Sequence, residues 1–195
     1  MFNILQQHTT FPSAGFIITD PDEGDSVTYW LDCGNDTWRF TMANTSGEIT
    51  YAYDYDVDKI LTTQYNCIVR AKDTGFNTAT TSLIIKIKDI NDNPPYFNQT
   101  QYAFYLTPYE TVGTEIGTVT AYDIDISEYG TITYKLDMTA YTVLYIQIYD
   151  NGNLYVNEPL NSQFQFGDVM NLDLTAIDYG GLQTTVKIWI VFPVV

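Results

Sequence analysis

The sequence repeats itself, and this repetition restricts the chain to two copies of one fold. The segment at 18–31 (ITDPDEGDSVTYWL) matches 121–136 (AYDIDISEYGTITYKL), and 65–75 (YNCIVRAKDTG) matches 170–181 (MNLDLTAIDYGG). Each copy then ends in a long apolar strand. Repetition of a whole strand-and-turn pattern at domain length indicates two tandem domains.

Strand-forming residues and turn signals predict that both domains are all-β. Val, Ile, Thr, Tyr and Phe dominate the composition, with 17 tyrosines, and 82–90 (SLIIKIKDI) alternates as a strand with one buried face does. No window sustains a helical period, and turn signals such as NTSG and DNGN punctuate the strands as in a β-sandwich. We expect almost no helix, with one domain at 1–90, a linker at 91–95 and a second domain at 96–195.

The segment DINDNPP at 89–95 has the composition of a cation-binding hinge. Its side-chain oxygens are those that Ca²⁺ prefers, and they belong to Asp89, Asn91, Asp92 and Asn93. The two prolines that follow restrict the backbone and predict a stiff spacer. The same string also fits a simple polar turn, because Asn, Asp and Pro favour turns for local reasons.

Acidic residues at matching places in both halves favour the cation-binding interpretation. In the first half they are Asp20, Asp22, Asp54, Asp56, Asp58 and Asp73, and in the second half they are Asp123, Asp125 and Asp178. The formal charge of −16 fits this interpretation, since uncompensated carboxylates repel one another until a cation neutralises them.

These features together resemble the tandem extracellular repeats of the cadherin family. The resemblance rests on DINDN, the paired aspartates, the AKD and AID endings of the two matching strands, and the segment 47–58, and it covers essentially the whole chain. It implies an all-β fold of two seven-stranded Greek-key β-sandwiches joined by a calcium-binding linker. It also implies a cluster of calcium ions, usually three, at the junction.

The resemblance further implies a set of metal ligands, taken residue by residue. The side-chain ligands are Asp56, Asp58, Asn91, Asp92, Asp123, Asp125 and Asp178, and the backbone carbonyl ligands are those of Ile90 and Asn93. Asp54 is an alternative to Asp56 if the register differs.

The chain departs from the family pattern where a bridging glutamate is expected near the start of the first strand. Leu5 and its neighbours occupy that register, and Asp58 is one methylene shorter than the usual Glu. The ions nearest the first repeat then lose a ligand, unless a shifted strand lets Asn3 or Gln6 donate an amide oxygen. The ion held by Asn91 and the three aspartates of the second repeat is expected to keep its ligands.

The two outer ends of the pair differ from the junction. Neutral amides, Asn161 and Gln163, stand in place of an acidic pair near the C-terminal end, so we expect no complete calcium cluster there. At the N-terminal end, Asp20, Asp22 and Asp73 make half a site, which either binds one ion weakly with water or forms a solvated acidic cap.

The net charge indicates which partners the chain can bind, and its glycosylation sequons indicate where the protein is located. Eight basic residues scattered among 24 acidic ones argue against nucleic acid as a partner. Three Asn-x-Ser/Thr sequons, at Asn35, Asn44 and Asn98, favour an extracellular or cell-surface location. No segment reaches the length of a membrane helix, so we expect a soluble piece of a membrane-anchored parent.

Neither the cysteines nor the lone histidine points to an enzyme. Cys33 and Cys67 both alternate with inward-facing residues, which leaves a disulfide and two free core thiols open. His8 is the only histidine, and no catalytic partner for it is signalled. The carboxylate pairs could serve glycoside hydrolysis, but their clustering around the linker fits cation binding better.

The resemblance predicts calcium-dependent adhesion, with another cadherin as the homophilic or heterophilic partner. The alternative is a non-adhesive spacer or a ligand-recognition module of a larger receptor. Cadherins that adhere by strand exchange are similar in having a tryptophan at the second position. This chain has Phe2 there, so strand exchange is not expected.

Overall fold

The chain divides into two compact units, Met1–Ile90 and Asn91–Val195. A computed structural model describes the residues 2–5, 20, 24–52, 57–60, 62–137 and 144–194. The described part consists of strands joined by turns and short helical segments, so the expectation of almost no helix is confirmed for these residues.

The first unit is built on a four-stranded sheet. Its strands are β1 (Phe2–Leu5), β2 (Thr28–Asp32), β3 (Phe40–Met42), β4 (Ile49–Tyr51), β5 (Gln64–Lys72) and β6 (Thr78–Lys88). The sheet order is β1-β6-β5-β2, with β1 parallel to β6, and β3 pairs with β4 separately. A 3-10 helix, Gly34–Arg39, follows β2, and the short helix α1, Val57–Ile60, precedes β5.

Strict alternation along β5 and β6 builds the core of this unit. Every second residue of β5 is buried, and the same holds for the second half of β6, because successive strand side chains point to opposite faces. Cys67 points inward from β5 and forms a disulfide with Cys33, which lies just after β2. Of the two alternatives open from the sequence, the structure therefore has the disulfide.

The described part of the second unit, residues 91–137 and 144–194, has nine strands in three sheets. They are β7 (Tyr96–Phe97), β8 (Gln101–Tyr105), β9 (Glu115–Thr118), β10 (Ala121–Tyr122), β11 (Thr133–Leu136), β12 (Ile146–Ile148), β13 (Asn153–Val156), β14 (Val169–Ile177) and β15 (Gln183–Val191). One sheet has the order β11-β14-β15-β8, a second has β12-β13-β9, and β10 pairs with β7. The last long strand, β15, runs parallel to β8.

The core of the second unit draws side chains from both larger sheets. Leu154 comes from the three-stranded sheet, and Leu174 and Ile188 come from the four-stranded one; all three are fully buried. Phe192, just past β15, is fully buried as well and stacks on Phe164 with ring centroids 5.2 Å apart. Each such side chain stabilises the fold by about 1.5–3 kcal/mol. This core holds the strand ends from which the candidate ligands project.

Candidate metal centre

Three segments of the second unit come together around buried carboxylates. Asp178 is the first residue after β14, Asp123 is the first residue after β10, and Asp125 follows two positions later. Residues 91–93 lie against them through hydrogen bonds from Asn91 to Asp178 and from Asn93 to Asp125. The fold thus gathers six predicted ligands within one unit: Asn91, Asp92, Asn93, Asp123, Asp125 and Asp178.

Asp178 organises the turn between β14 and β15. Only 4% of its surface is exposed, and its Oδ1 accepts hydrogen bonds from the backbone N–H groups of Gly181 at 2.6 Å and Leu182 at 2.9 Å. The same oxygen accepts a third hydrogen bond from Nδ2 of Asn91 at 3.2 Å. Because all three donors use Oδ1, the other carboxylate oxygen is left for a different partner.

Asp123 and Asp125 are fixed by one another and by Asn93. The backbone N–H of Asp125 donates to Oδ1 of Asp123 at 2.9 Å. Asn93 donates to the Asp125 carboxylate twice, through Nδ2 at 2.6 Å and through its backbone N–H at 3.3 Å, and Nδ2 also donates to Asp92 at 2.8 Å. Asn93 therefore positions two carboxylates with its side chain, a contribution beyond the backbone carbonyl that the sequence suggested.

The carboxylates form an uncompensated negative site. Burial raises the pKa of Asp123 above its usual value; the N–H of Asp125 partly offsets this, and the charges of Asp125 and Asp178 raise the pKa further. In the described part of the chain, none of these three residues forms an ion pair with Lys or Arg. Charges held this close together destabilise the fold unless a cation offsets them.

Three buried oxygens show that the site fits a hard cation. They are Oδ1 of Asn91, Oδ2 of Asp123 and Oδ2 of Asp178, and each is buried without a hydrogen-bond partner. Buried polar atoms are normally paired, so three unsatisfied oxygens in linked residues call for a ligand that accepts their lone pairs. Carboxylate and amide oxygens are the donors that Ca²⁺ prefers.

Gly180 makes room for the Asn91 side chain. A Cβ atom at position 180 would lie 2.1 Å from Nδ2 of Asn91 and 2.4 Å from its Cγ. Any larger residue would therefore displace the amide from the turn. The glycine pair after Asp178 thus serves the site as well as the hairpin.

The first unit also carries a pair of carboxylates that lie close together. Asp58 lies in α1 and Asp89 follows β6, and carboxylate oxygens of the two lie within 4.8 Å of each other. Asp89 is 9% exposed. Sequence reasoning included it among the oxygens of the linker but not among the ligands taken from the family; its inward orientation continues the alternation of β6. Asp54 and Asp56 lie outside the described residues, and the carbonyl role of Ile90 stays a prediction.

A third acidic group, also in the first unit, includes one residue that the sequence analysis missed. Carboxylate oxygens of Asp20, Asp25 and Asp73 lie within 4.8 Å of one another, and all three residues are partly exposed. Asn77 donates to Asp73 through its backbone N–H at 2.7 Å and through Nδ2 at 2.8 Å. Asp22 lies outside the described residues. Asp25 belongs to the same acidic turn, and its contact with Asp73 depends on how that turn folds.

No protein-family model matches the chain. Protocadherin-16 of Rattus norvegicus is 32% identical over 175 residues, which cover 87% of this chain and 5% of the relative. Protocadherin-23 of Homo sapiens is 31% identical over 148 residues, covering 76% of this chain and 4% of the relative. The chain therefore spans a small part of these curated relatives.

A solved structure, mouse cadherin-23 EC22-24, has the same architecture. It is 25% identical, with a TM-score of 0.76, over 97% of this chain and 62% of that one. The predicted fold class, tandem Greek-key β-sandwiches, is confirmed by this match, and the prediction that the chain is not an enzyme is confirmed by the relatives. Among the described residues, no helix has the length and apolar character needed to cross a membrane. The chain belongs to the cadherin superfamily and contains tandem extracellular-cadherin-type repeats.

Proposed function

We propose that this chain is part of a calcium-dependent adhesion ectodomain, in which calcium stiffens the junction between repeats 1–90 and 96–195 through the linker 91–95. The observation that carries the proposal is the set of three buried, unpartnered oxygens on Asn91, Asp123 and Asp178. They belong to side chains that other hydrogen bonds hold in place, so these metal-ligand oxygens are ordered before any ion binds.

Ligands for the junction are proposed as follows. The second repeat supplies Asp123, Asp125 and Asp178, the linker supplies Asn91, Asp92 and the carbonyls of Ile90 and Asn93, and the first repeat supplies Asp56 and Asp58. To these we add Asp89, because it is buried close to Asp58. Bound Ca²⁺ would supply the positive charge that offsets the carboxylates.

Two linker residues also have a role that does not depend on the ion. Asn91 joins the linker to the β14–β15 turn through Asp178, and Asn93 joins it to the loop after β10 through Asp125. The linker is thereby tied to the second repeat at two points. Linker and turn are thus ordered together, so little conformational entropy remains to be lost on binding.

The partner and location belong to the same proposal. We propose another cadherin as the adhesive partner and the cell surface as the location, with the parent protein anchored in the membrane. The three sequons support an extracellular location, since Asn35, Asn44 and Asn98 are all exposed.

Calcium titration calorimetry on the whole chain tests the ligand assignment. The wild type should bind calcium with a dissociation constant of about 10⁻⁴–10⁻³ M, typical of extracellular modules. Asp125→Ala should lose at least one ion and its stabilisation, whereas Asp150→Ala, at an exposed position of the same unit, should bind as the wild type does. Unchanged binding by Asp125→Ala would exclude the proposed site.

Small-angle scattering tests the junction role, and analytical ultracentrifugation with and without calcium separates a self-associating adhesion ectodomain from a monomeric spacer. Calcium should narrow the distribution of interdomain distances in the wild type and leave that of Asp125→Ala broad. If the wild-type distribution is the same in calcium and in chelator, the ion does not stiffen the junction, even where calorimetry shows binding.

A further inference from the structure

A cleft lies on the outer side of the three-stranded sheet β12-β13-β9 in the second unit. Its volume is about 540 Å³, which is in the range of sites that bind small ligands. None of the residues that line it is charged. Its polar and aromatic side chains are those of Gln147, Tyr149, Asn151, Tyr155 and Asn157. The cleft is therefore a neutral site in a unit that carries far more carboxylates than basic residues.

The three amides of the cleft offer both hydrogen-bond donors and acceptors. Asn157 donates through Nδ2 to the Leu144 carbonyl at 2.9 Å, which leaves its Oδ1 as an acceptor. Asn151 accepts the backbone N–H of Asn153 at 3.1 Å through Oδ1, which leaves its Nδ2 as a donor. Gln147 is exposed, and its amide supplies one group of each kind. The bonds to the backbone orient two of the three amides before any ligand binds.

Two tyrosine rings complete the cleft. Tyr149 and Tyr155 contact each other edge to face, with ring centroids 5.3 Å apart and ring planes at 86°. Tyr155 lies opposite Gln147 on the neighbouring strand, and Tyr149 is 50% exposed. Tyrosine presents a large, rigid contact surface that loses little conformational entropy when a ligand binds. The rings therefore provide an apolar wall beside the amides.

The fold does not require these side chains, as the matching hairpin of the first unit shows. Strands β3 and β4 pair as β12 and β13 do, and Thr41 and Thr50 form the middle pair where the second unit has Gln147 and Tyr155. The two threonine hydroxyls hydrogen-bond each other. The first unit thus satisfies this pair internally, whereas the second unit presents a longer amide and a phenol to solvent. The cleft is therefore a property of this surface and not of the sandwich.

The lining selects a neutral ligand that carries hydroxyl groups. The two basic residues of this unit, Lys135 and Lys187, project from the other, four-stranded sheet, so no cation meets an acidic ligand here. Exposed carboxylates of Glu115, Asp150 and Glu158 are next to lining residues and repel anions. A cationic ligand needs a carboxylate in contact, and none lines the cleft. A hydroxyl group both donates and accepts, so it uses the donors and the acceptors of the amides together.

We propose that this cleft binds a neutral oligosaccharide. The tyrosine rings pack against the C–H face of a hexose, and the amides of Gln147, Asn151 and Asn157 hydrogen-bond its hydroxyls. The sugar comes either from another glycoprotein or from this chain's own sequons, and the chemistry is the same. Binding is weak, with a dissociation constant of about 10⁻⁴–10⁻³ M, because these hydrogen bonds replace hydrogen bonds to water. No candidate metal ligand lines the cleft, so the proposal does not depend on calcium.

A glycan array tests the class of ligand. The whole chain, produced in bacteria without N-glycans and presented as a multivalent complex, is applied to neutral hexose oligosaccharides and to their sialylated and sulfated forms. We expect binding to neutral oligosaccharides, weaker binding to the acidic forms, and the same result in calcium and in chelator. An array on which no neutral oligosaccharide binds, or on which the acidic forms bind better, would overturn the proposal.

Variants assign the binding to the cleft, in an NMR titration with the neutral oligosaccharide that the array identifies. Gln147→Ala should raise the dissociation constant about tenfold, because two hydrogen bonds are lost. Tyr149→Ser should weaken binding similarly, whereas Tyr149→Phe keeps the ring and should bind within about threefold of the wild type. Gln101→Ala makes the matched change at an exposed position of the four-stranded sheet and should bind normally. Equal weakening by the Gln101 and Gln147 variants would overturn the assignment.

The source of the sugar is distinguished with chain secreted from animal cells, before and after enzymatic removal of its N-glycans. Binding of the oligosaccharide by both forms shows that the cleft is open to the glycans of another molecule. Binding only after removal shows that the chain's own glycans occupy it. If neither form binds, the proposal is wrong.

Discussion

Replacing Asp123 by asparagine should stabilise the second unit in a chelator and destabilise it in calcium. The ionised carboxylate is partly buried and lies near two others; the burial first, and the neighbouring charges second, raise its pKa and make the ion-free fold less stable at neutral pH. An amide removes that charge, and its oxygen still accepts the hydrogen bond from the N–H of Asp125. In calcium, the same substitution removes a ligand.

The magnitude follows from the unsatisfied oxygen. A buried oxygen without a partner, as Oδ2 of Asp123 is, destabilises a protein by about 1–3 kcal/mol, so we expect the variant to gain about 1 kcal/mol in chelator. Calcium at a hundred times its dissociation constant stabilises the wild type by about 2.7 kcal/mol. A variant with affinity lowered about a hundredfold gains only about 0.4 kcal/mol and ends about 1 kcal/mol below the wild type.

Scanning calorimetry of the whole chain, in chelator and in calcium, measures both effects. One kcal/mol shifts the midpoint of a unit of this size by about 4–8 °C. Asp150→Asn makes the same charge change at an exposed position and should change stability by less than about 0.5 kcal/mol in either condition. If Asp123→Asn is less stable in chelator and keeps the full calcium response, the buried oxygens support the fold and do not bind a cation.

Three further predictions concern the disulfide, the turn and pH. Replacing Cys33 and Cys67 together by alanine should destabilise the first unit by about 4 kcal/mol, since the disulfide closes a loop with a sequence separation of 34; calorimetry should show the transition of the second unit unmoved, and a shift in both would contradict this assignment. Gly180→Ala should weaken calcium binding in calorimetry, because its Cβ displaces Asn91; unchanged binding would show that the Asn91 amide is not needed. In chelator, the second unit should become more stable as pH falls from neutral through the raised pKa of Asp123 toward 3.8, because the folded state takes up the proton first. Thermal unfolding against pH should lose this slope in Asp123→Asn; an identical slope would assign the proton uptake to another group.

Much of the fold is readable from alternation, because a strand turns every second side chain inward. The inward positions of β5 and β15 follow directly, and so does the outward position of Trp189. The disulfide does not follow, since alternation turns Cys33 and Cys67 inward without setting the distance between them. That distance depends on the pairing of β2 with β5, which places Asp32 opposite Ile68.

The candidate site was predictable in composition but not in its internal bonds. Asp123, Asp125 and Asp178 were identified as ligands through resemblance, and they do lie at the ends of strands in one unit. Which oxygen of each carboxylate is already hydrogen-bonded depends on turn geometry that the sequence does not specify. The side-chain role of Asn93 and the space that Gly180 provides for Asn91 also depend on this turn geometry, so the sequence did not predict them.

Charge distribution shows most clearly what strand pairing adds. The eight basic residues look scattered along the chain, yet six project from the outer sides of the two four-stranded sheets. They are Arg70, Lys72, Lys86, Lys88, Lys135 and Lys187. Their even spacing within strands collects them on one side of each sheet, while most of the described carboxylates lie in turns or at strand ends. Counting charges along the sequence does not distinguish the basic outer sides of the sheets from the acidic turns.

The parallel pairing of β8 with β15 determines how the second unit responds to mechanical load. β8 is the first strand of its four-stranded sheet along the chain and β15 is the last, and they are joined in register from Lys187↔Gln101 to Val191↔Tyr105. Tension on the two ends of the unit pulls these strands in opposite directions along their length. The hydrogen bonds between them are then loaded in shear, all at once, and cannot open one after another. β1 and β6 have the same relation in the first unit, so each repeat resists extension through the strands at its own ends.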